Sequence, residues 1–105
     1  NMQDISEKDW KLFRRKLPEW QKNHMNRLFK EYKELIDSDM EEGEKFYQLK
    51  NRVNSDYRTP GVCVSISRKD TPFTVAQLIY DKAISLDGIS EFSDDFKEVV
   101  ELYLR

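Results

Sequence analysis

Along the first third of the chain, ring-bearing and aliphatic residues return every three or four positions. They are Trp10, Phe13, Leu17, Trp20, His24, Leu28, Tyr32 and Leu35. That interval is the pitch of one face of an α-helix. Ser6, followed by Glu7 and Asp9, supplies a start signal, with acids at the positive end of the helix dipole. Pro18 falls in the interior, where it lacks an N–H and crowds the carbonyl of Arg14. A break at Pro18 is one outcome. However, the stripe keeps its phase across Pro18, and a loop would reset it. The spacing therefore predicts one long helix, kinked at Pro18, from about Ser6 to Ile36.

Asp37-Ser38-Asp39 ends this helix, and Ser38 with Glu41 has the spacing of a capping box for a second helix reaching about Ser55. Phe46, Leu49 and Val53 define its apolar face, widened by Met40, Tyr47 and Tyr57, and Gly43 weakens it. The short connection predicts an antiparallel hairpin. Thr59-Pro60-Gly61 interrupts the chain. Residues 62–67 then alternate as a strand would, yet no second strand is evident to pair with them. A helix capped by Thr59 is the competing reading and is favoured slightly; an extended segment paired with its copy in a dimer is the other. Thr71-Pro72 starts a further helix whose face is Val75, Leu78 and Ile79, running up to Ile84. Residues 85–89 read as a turn. Ser93, with Asp94 and Asp95, caps a last helix with Phe96, Val99, Val100 and Tyr103 as its buried stripe. The expectation is a single all-α domain of about four helices, spanning 1–105: a long kinked first helix in a hairpin with the second, and a smaller helical C-terminal half. No internal repeat or linker divides it.

Composition sharpens this picture. Only 38% of the 105 residues are hydrophobic and 36% are charged, so the first stripe must form much of any core or interface. The 12% aromatic content argues against a disordered chain. A net charge of −2 gives no global pull toward nucleic acid or anionic membrane. The charge is uneven: residues 1–36 carry nine Lys/Arg and six Asp/Glu, a balance of +3, and residues 37–105 carry nine and fourteen, a balance of −5. Such asymmetry steers the halves toward each other or toward a partner. Cys63 is the only cysteine, which excludes an internal disulfide and fits a reducing cytoplasm. No apolar run approaches the ~18 residues of a membrane span. Asn1 before Met2 reads as a cloning remnant, with Met2 the native start and no signal segment.

Candidate chemistry is thin. His24 and Cys63 are the possible base and nucleophile, but no third group orients them, and an interfacial histidine is the simpler reading. A thiol between two valines reads as a small buried hydrophobe rather than a redox sensor. Residues 81–91 fail as a calcium loop: with Gly88 at the loop glycine position, the first ligand position would be Ala83. The adjacent acids Glu41/Glu42 and Asp94/Asp95 do not face each other on a helix and belong to helix starts. No catalytic residue, metal site or cofactor is expected. Between Lys8 and Lys33, nine bases and three acids leave a local +6, and Arg14, Arg15, Lys22 and Arg27 would form the contact surface of a nucleic-acid-binding regulator. Consecutive bases fan around a helix, and no nucleic-acid motif accompanies them, so a solvated face or an acidic protein partner is the preferred reading.

Three segments, EKDWKLFRRKLPEWQ, NRLFKEYKELI and EFSDDFKEVVE, resemble a family of short uncharacterised bacterial proteins of about this length. Some members of that family carry a multidrug-transporter name, which the lack of any membrane-spanning run here does not support. The resemblance implies a small cytoplasmic protein and transfers no site residues. The functional expectation is a non-enzymatic interaction or adaptor module, self-associating or bound to a protein partner. Trp10, Phe13, Leu17 and Trp20 are its candidate interface, with core packing as the competing role for the same residues.

Overall fold

The structure is a computed structural model in which residues 4–105 are described. The expected start at Met2 lies outside those residues. Among them the chain is all-helical: α1 (Glu7–Ile36), α2 (Glu42–Tyr57), α3 (Thr71–Tyr80), a 3-10 turn (Leu86–Ile89) and α4 (Asp94–Leu104). The molecule is elongated, 54 × 23 × 19 Å.

α1 begins as its sequence predicts, with the Ser6 hydroxyl accepting from the Asp9 N–H at 3.1 Å. It then runs through Pro18 as one helix of 30 residues, about 45 Å long. Pro18 and Arg14 are both exposed, so the carbonyl that loses its helical partner sits where water reaches it. On the opposite side Phe13 is fully buried, and Leu12 and Leu17 nearly so. A run of rings extends from α1 into the C-terminal half. Trp10 stacks on Phe13 (centroids 6.1 Å apart), Trp20 meets Phe13 edge-on (6.3 Å), Trp20 touches Phe92 (6.2 Å), and Phe92 stacks on Phe96 (4.6 Å). Val75, Ala76 and Leu78 of α3 and Phe96 and Val100 of α4 close this core. Asp9 anchors it from the polar side. Its carboxylate, buried in α1, accepts from the Ser93 N–H (3.1 Å) and hydroxyl (2.6 Å). The same Ser93 hydroxyl caps α4 by accepting from the Phe96 N–H.

Several local expectations are corrected. Ser38 does not cap α2: its hydroxyl donates to the Leu35 carbonyl and finishes α1, and Glu41 caps α2 by accepting from the Gly43 N–H. Residues 62–67 form neither helix nor strand. The Thr59-Pro60 start signal yields one turn, with the N–H groups of Val62 and Cys63 donating to the Thr59 carbonyl, and the chain then straightens out of it. Arg68 holds the following segment in place by donating twice to the Ile5 carbonyl (3.1 and 2.8 Å) and once to Glu7 (2.9 Å). Thr71 is the first residue of α3 rather than its cap, and its hydroxyl donates to the Ser67 carbonyl. α3 ends at Tyr80, not Ile84. Lys82 turns left-handed (φ 62°), its N–H reaches the Ile79 carbonyl and the Ala83 N–H reaches that of Leu78, the two bonds of a Schellman cap. In α4, Phe96 and Val100 are buried as expected, but Tyr103 is exposed.

Lys82 occupies a conformation that costs a side-chain-bearing residue about 1 kcal/mol. Lys82→Gly is expected to raise unfolding free energy by about 0.5–1 kcal/mol in urea titration, the gain being reduced by the greater freedom of glycine in the unfolded chain.

Candidate functional site

α3 and α4 are 10 and 11 residues long, about 15 Å each, and cover only the first half of α1. The second half therefore projects from the core, and α2 folds back along it. Tyr32 donates to Asp56 (2.5 Å), Arg52 reaches Glu31 (2.7 Å), and Gln21 donates to the Pro60 carbonyl (2.9 Å). The chain reverses between Ile36 and Glu42 and runs back along α1 until Pro60 meets Gln21, which makes an antiparallel hairpin. No residue of α2 is buried. The face Phe46–Leu49–Val53, expected to pack, stays largely open: Phe46 is 80% exposed and Val53 is exposed too, while Leu49 is half-buried. One helix alone is too narrow to cover it.

The two faces of this hairpin differ in chemistry. One carries an apolar groove lined by Met25, Phe29 and Tyr32 of α1, Val53 and Tyr57 of α2, and Val62. Ile36 and Phe46 extend it toward the tip at helical spacing from Phe29 and Val53. The other is a charged cleft between the arm and the end of α3, lined by residues that include His24, Arg27, Glu31, Arg52, Asp56, Asp81 and Lys82. Three of its charges pair, Arg52 with Glu31 and Asp56, and Arg27 donates to the Ala83 carbonyl at 2.7 Å. The Glu31 hydrogen bond raises the Arg52 pKa, and burial followed by the Asp56 hydrogen bond pushes Tyr32 up to about 12. Burial raises Asp81. The tip between the helices is acidic, with Glu34, Asp37, Asp39, Glu41, Glu42 and Glu44 and no Lys or Arg among residues 34–44.

The structure redistributes the residues singled out from sequence. Phe13 and Leu17 lie inside the protein's own core, and Trp10 and Trp20 are half-buried against it, so this stripe holds the fold together. That corrects the expectation of Trp10, Phe13, Leu17 and Trp20 as an open interface. The bases divide likewise. Arg14, Arg15 and Lys22 are exposed on one side of α1, with Arg14 over the Trp10 ring at 5.0 Å, whereas Arg27 points to the opposite side and into the cleft. The four bases do not make one surface. Cys63 is exposed, contrary to the buried-hydrophobe reading, because the segment carrying it leaves the core after one turn. His24 is 8% exposed and packs on Gly61; a Cβ there would stand 2.4 Å from His24 Cδ2. Among the described residues no hydrogen bond joins His24 to Cys63, and His24 Nδ1 is buried without a partner. No group of His, Cys, Asp or Glu among the described residues has the arrangement of a metal site. The sequence pattern missed the outer face of the arm because Met25, Phe29 and Ile36 stand among polar and charged residues, one position after His24, Leu28 and Leu35 of the main stripe.

Comparisons with family models, with curated proteins and with solved structures give no match to this chain.

Burial lowers the His24 pKa below 6.5, and Arg27 adds to this, against weaker pull from Asp56, Asp81 and Glu31. The folded protein therefore takes up this proton less readily than the unfolded chain. Stability associated with neutral His24 is full above pH 6.5 and falls as pH drops through that value toward the lowered one. His24 is the only histidine. His24→Gln should flatten the loss of stability between about pH 7.5 and 5.5 in denaturant titrations, whereas an unchanged slope would show that His24 does not titrate in this way.

Proposed function

We propose that this protein is a non-enzymatic contact module, an adaptor whose α1–α2 arm is its docking element. One observation carries the reading: α2, sixteen residues long, buries none of its side chains, yet lays Phe46, Val53 and Tyr57 along one face beside Phe29 and Ile36 of α1. A two-helix hairpin with its apolar side uncovered gains stability when something covers it. Aromatic side chains are also the residues that most often anchor interfaces. The charged cleft on the other face supports the same reading, since its ion pairs and the Tyr32–Asp56 bond staple the hairpin and fix the relative placement of the two helices. Among the described residues no helix is long and apolar enough to cross a membrane. The lone exposed thiol of Cys63 fits a reducing compartment such as the cytoplasm.

The test replaces Phe46 by photoreactive benzoylphenylalanine, in parallel with Asn51 on the outer side of α2. Irradiation in cells should give discrete protein adducts from position 46 and none from position 51. Val53→Lys, which places a charge in the apolar stripe, should abolish them. Equal yields at the two positions, or adducts insensitive to Val53→Lys, would contradict docking through this face.

A further inference from the structure

We propose that the occupant of the arm's apolar face is a second copy of this chain, packed antiparallel so that the two hairpins form a four-helix bundle; this rests on the contact-module reading. α1 carries a stripe that the core does not use. Lys11, Arg15, Pro18, Lys22, Met25, Phe29 and Ile36 follow one another at steps of four, three, four, three, four and seven. They share one side of the helix, and all are exposed except half-buried Met25. Arg14 borders the same side. Read from root to tip, the stripe is basic, then apolar with exposed Lys33 at its edge, then ends at the acidic tip of Asp37, Asp39 and Glu42. The charges at both ends are free to pair elsewhere. Among the described residues Arg14, Arg15 and Lys22 make no ion pair, and neither do Asp37, Asp39, Glu41 or Glu42.

A surface that is basic at one end, acidic at the other and apolar between is complementary to itself when turned end for end. A two-fold axis crossing α1 between Met25 and Phe29 sets Met25 of each copy against Phe29 of the other. Residues nine positions away on either side of that axis, Pro18 and Ile36, lie about 14 Å from it. The acidic tip of each copy then runs alongside Arg14 and Arg15 of the other, with Lys22 about 8 Å along the helix from Asp37, and the apolar middles coincide. A parallel arrangement would place acid on acid and base on base. Such an interface is isologous and closes at two copies.

The area is adequate. Phe29, Phe46 and Tyr57 are 57%, 80% and 62% exposed. Rings that each bury roughly 150–250 Å² leave on the order of 400 Å² uncovered here, and Ile36 and Val53 bring this to about 500 Å². That is near the top of the roughly 300–600 Å² range for the largest apolar patch of an ordinary monomer. A standard interface covers about 800 Å² per partner, and the paired tips and basic bands supply the remainder.

Sedimentation velocity from micromolar to millimolar protein tests this. The wild-type chain should pass from monomer to dimer, with dimerisation weakened by added salt because the end pairs are exposed. Arg15→Glu with Lys22→Glu should lose the dimer boundary, and so should Asp39→Lys with Glu42→Lys. Circular dichroism should show both variants as helical as wild type. Mixing the two variants should restore the dimer as a one-to-one heterodimer, since the copy that is acidic at both ends then meets the copy that is basic at both ends with opposite signs in each pair. Combining all four substitutions in one chain should restore the dimer fully, because each reversed tip then meets a reversed band. A wild type that stays monomeric up to millimolar concentration overturns the proposal. A dimer indifferent to the single reversals, or unrescued by the fourfold variant, overturns the antiparallel arrangement. If the chain is monomeric and position 46 still cross-links to a different protein, the second-copy inference fails and the contact module stands. If it is monomeric and position 46 is silent, both fail.

Discussion

One side of one helix holds this molecule together. Phe13 and Leu17 of α1 sit at the centre of a core in which Trp10, Trp20, Phe92 and Phe96 pack ring against ring, and α3 and α4 are short helices laid across that surface. With 38% hydrophobic residues, the chain has enough apolar material for one such core and little for a second. The clamp also explains why α1 survives Pro18. The proline faces solvent while Phe13, Leu17 and Trp20 bind the opposite side on both flanks, so tertiary packing outweighs the missing backbone bond. Truncating Phe13 to alanine would remove the fully buried ring that both Trp10 and Trp20 pack against, at about 3–5 kcal/mol.

The arm follows from a mismatch of length. α1 is about 45 Å long while α3 and α4 are about 15 Å each, so the far end of the helix emerges beyond them with α2 alongside, and near its base Gly61 packs on His24 and the Ala83 carbonyl accepts from Arg27. Two helices lying side by side have a single seam between them. Tyr32–Asp56, Arg52–Glu31 and half-buried Leu49 fill that seam, and the apolar residues on its flank stay open. An extended molecule of 54 × 23 × 19 Å is the outcome, with a packed head and a thin amphipathic arm. The docking role and the second copy argued for it both rest on this asymmetry.

Much of the architecture is legible in the sequence, for physical reasons that also mark where legibility ends. Helix starts at Ser6 and Ser93 are local chemistry, a hydroxyl three residues before the N–H it accepts from, and they read directly. The hairpin reads from its short connection. Residues 62–67 do not, because the contact that anchors the end of the segment, Arg68 on the Ile5 carbonyl, spans sixty-three positions. Asp9 likewise shows only as a first-turn acid, while its partner Ser93 lies eighty-four positions on. The site is the least legible part. Periodicity finds Trp10, Phe13, Leu17 and Trp20 but cannot say whether a stripe is covered by its own chain. Phe46 and Val53 fit a buried helix face equally well, and only the shortness of α3 and α4 shows that nothing in the described chain covers them.

Backbone hydrogen exchange of α2, followed as protein concentration rises, bears most directly on the central claim of a clamped head and an uncovered arm. Opening free energies differ between regions of unequal burial. In dilute solution the amides of α2 should exchange well before those of α4 and the first half of α1. On concentration they should slow while those of α3 and α4 hold their rates. α2 amides as protected as those of α4 at the lowest concentration, and indifferent to raising it, would contradict the account.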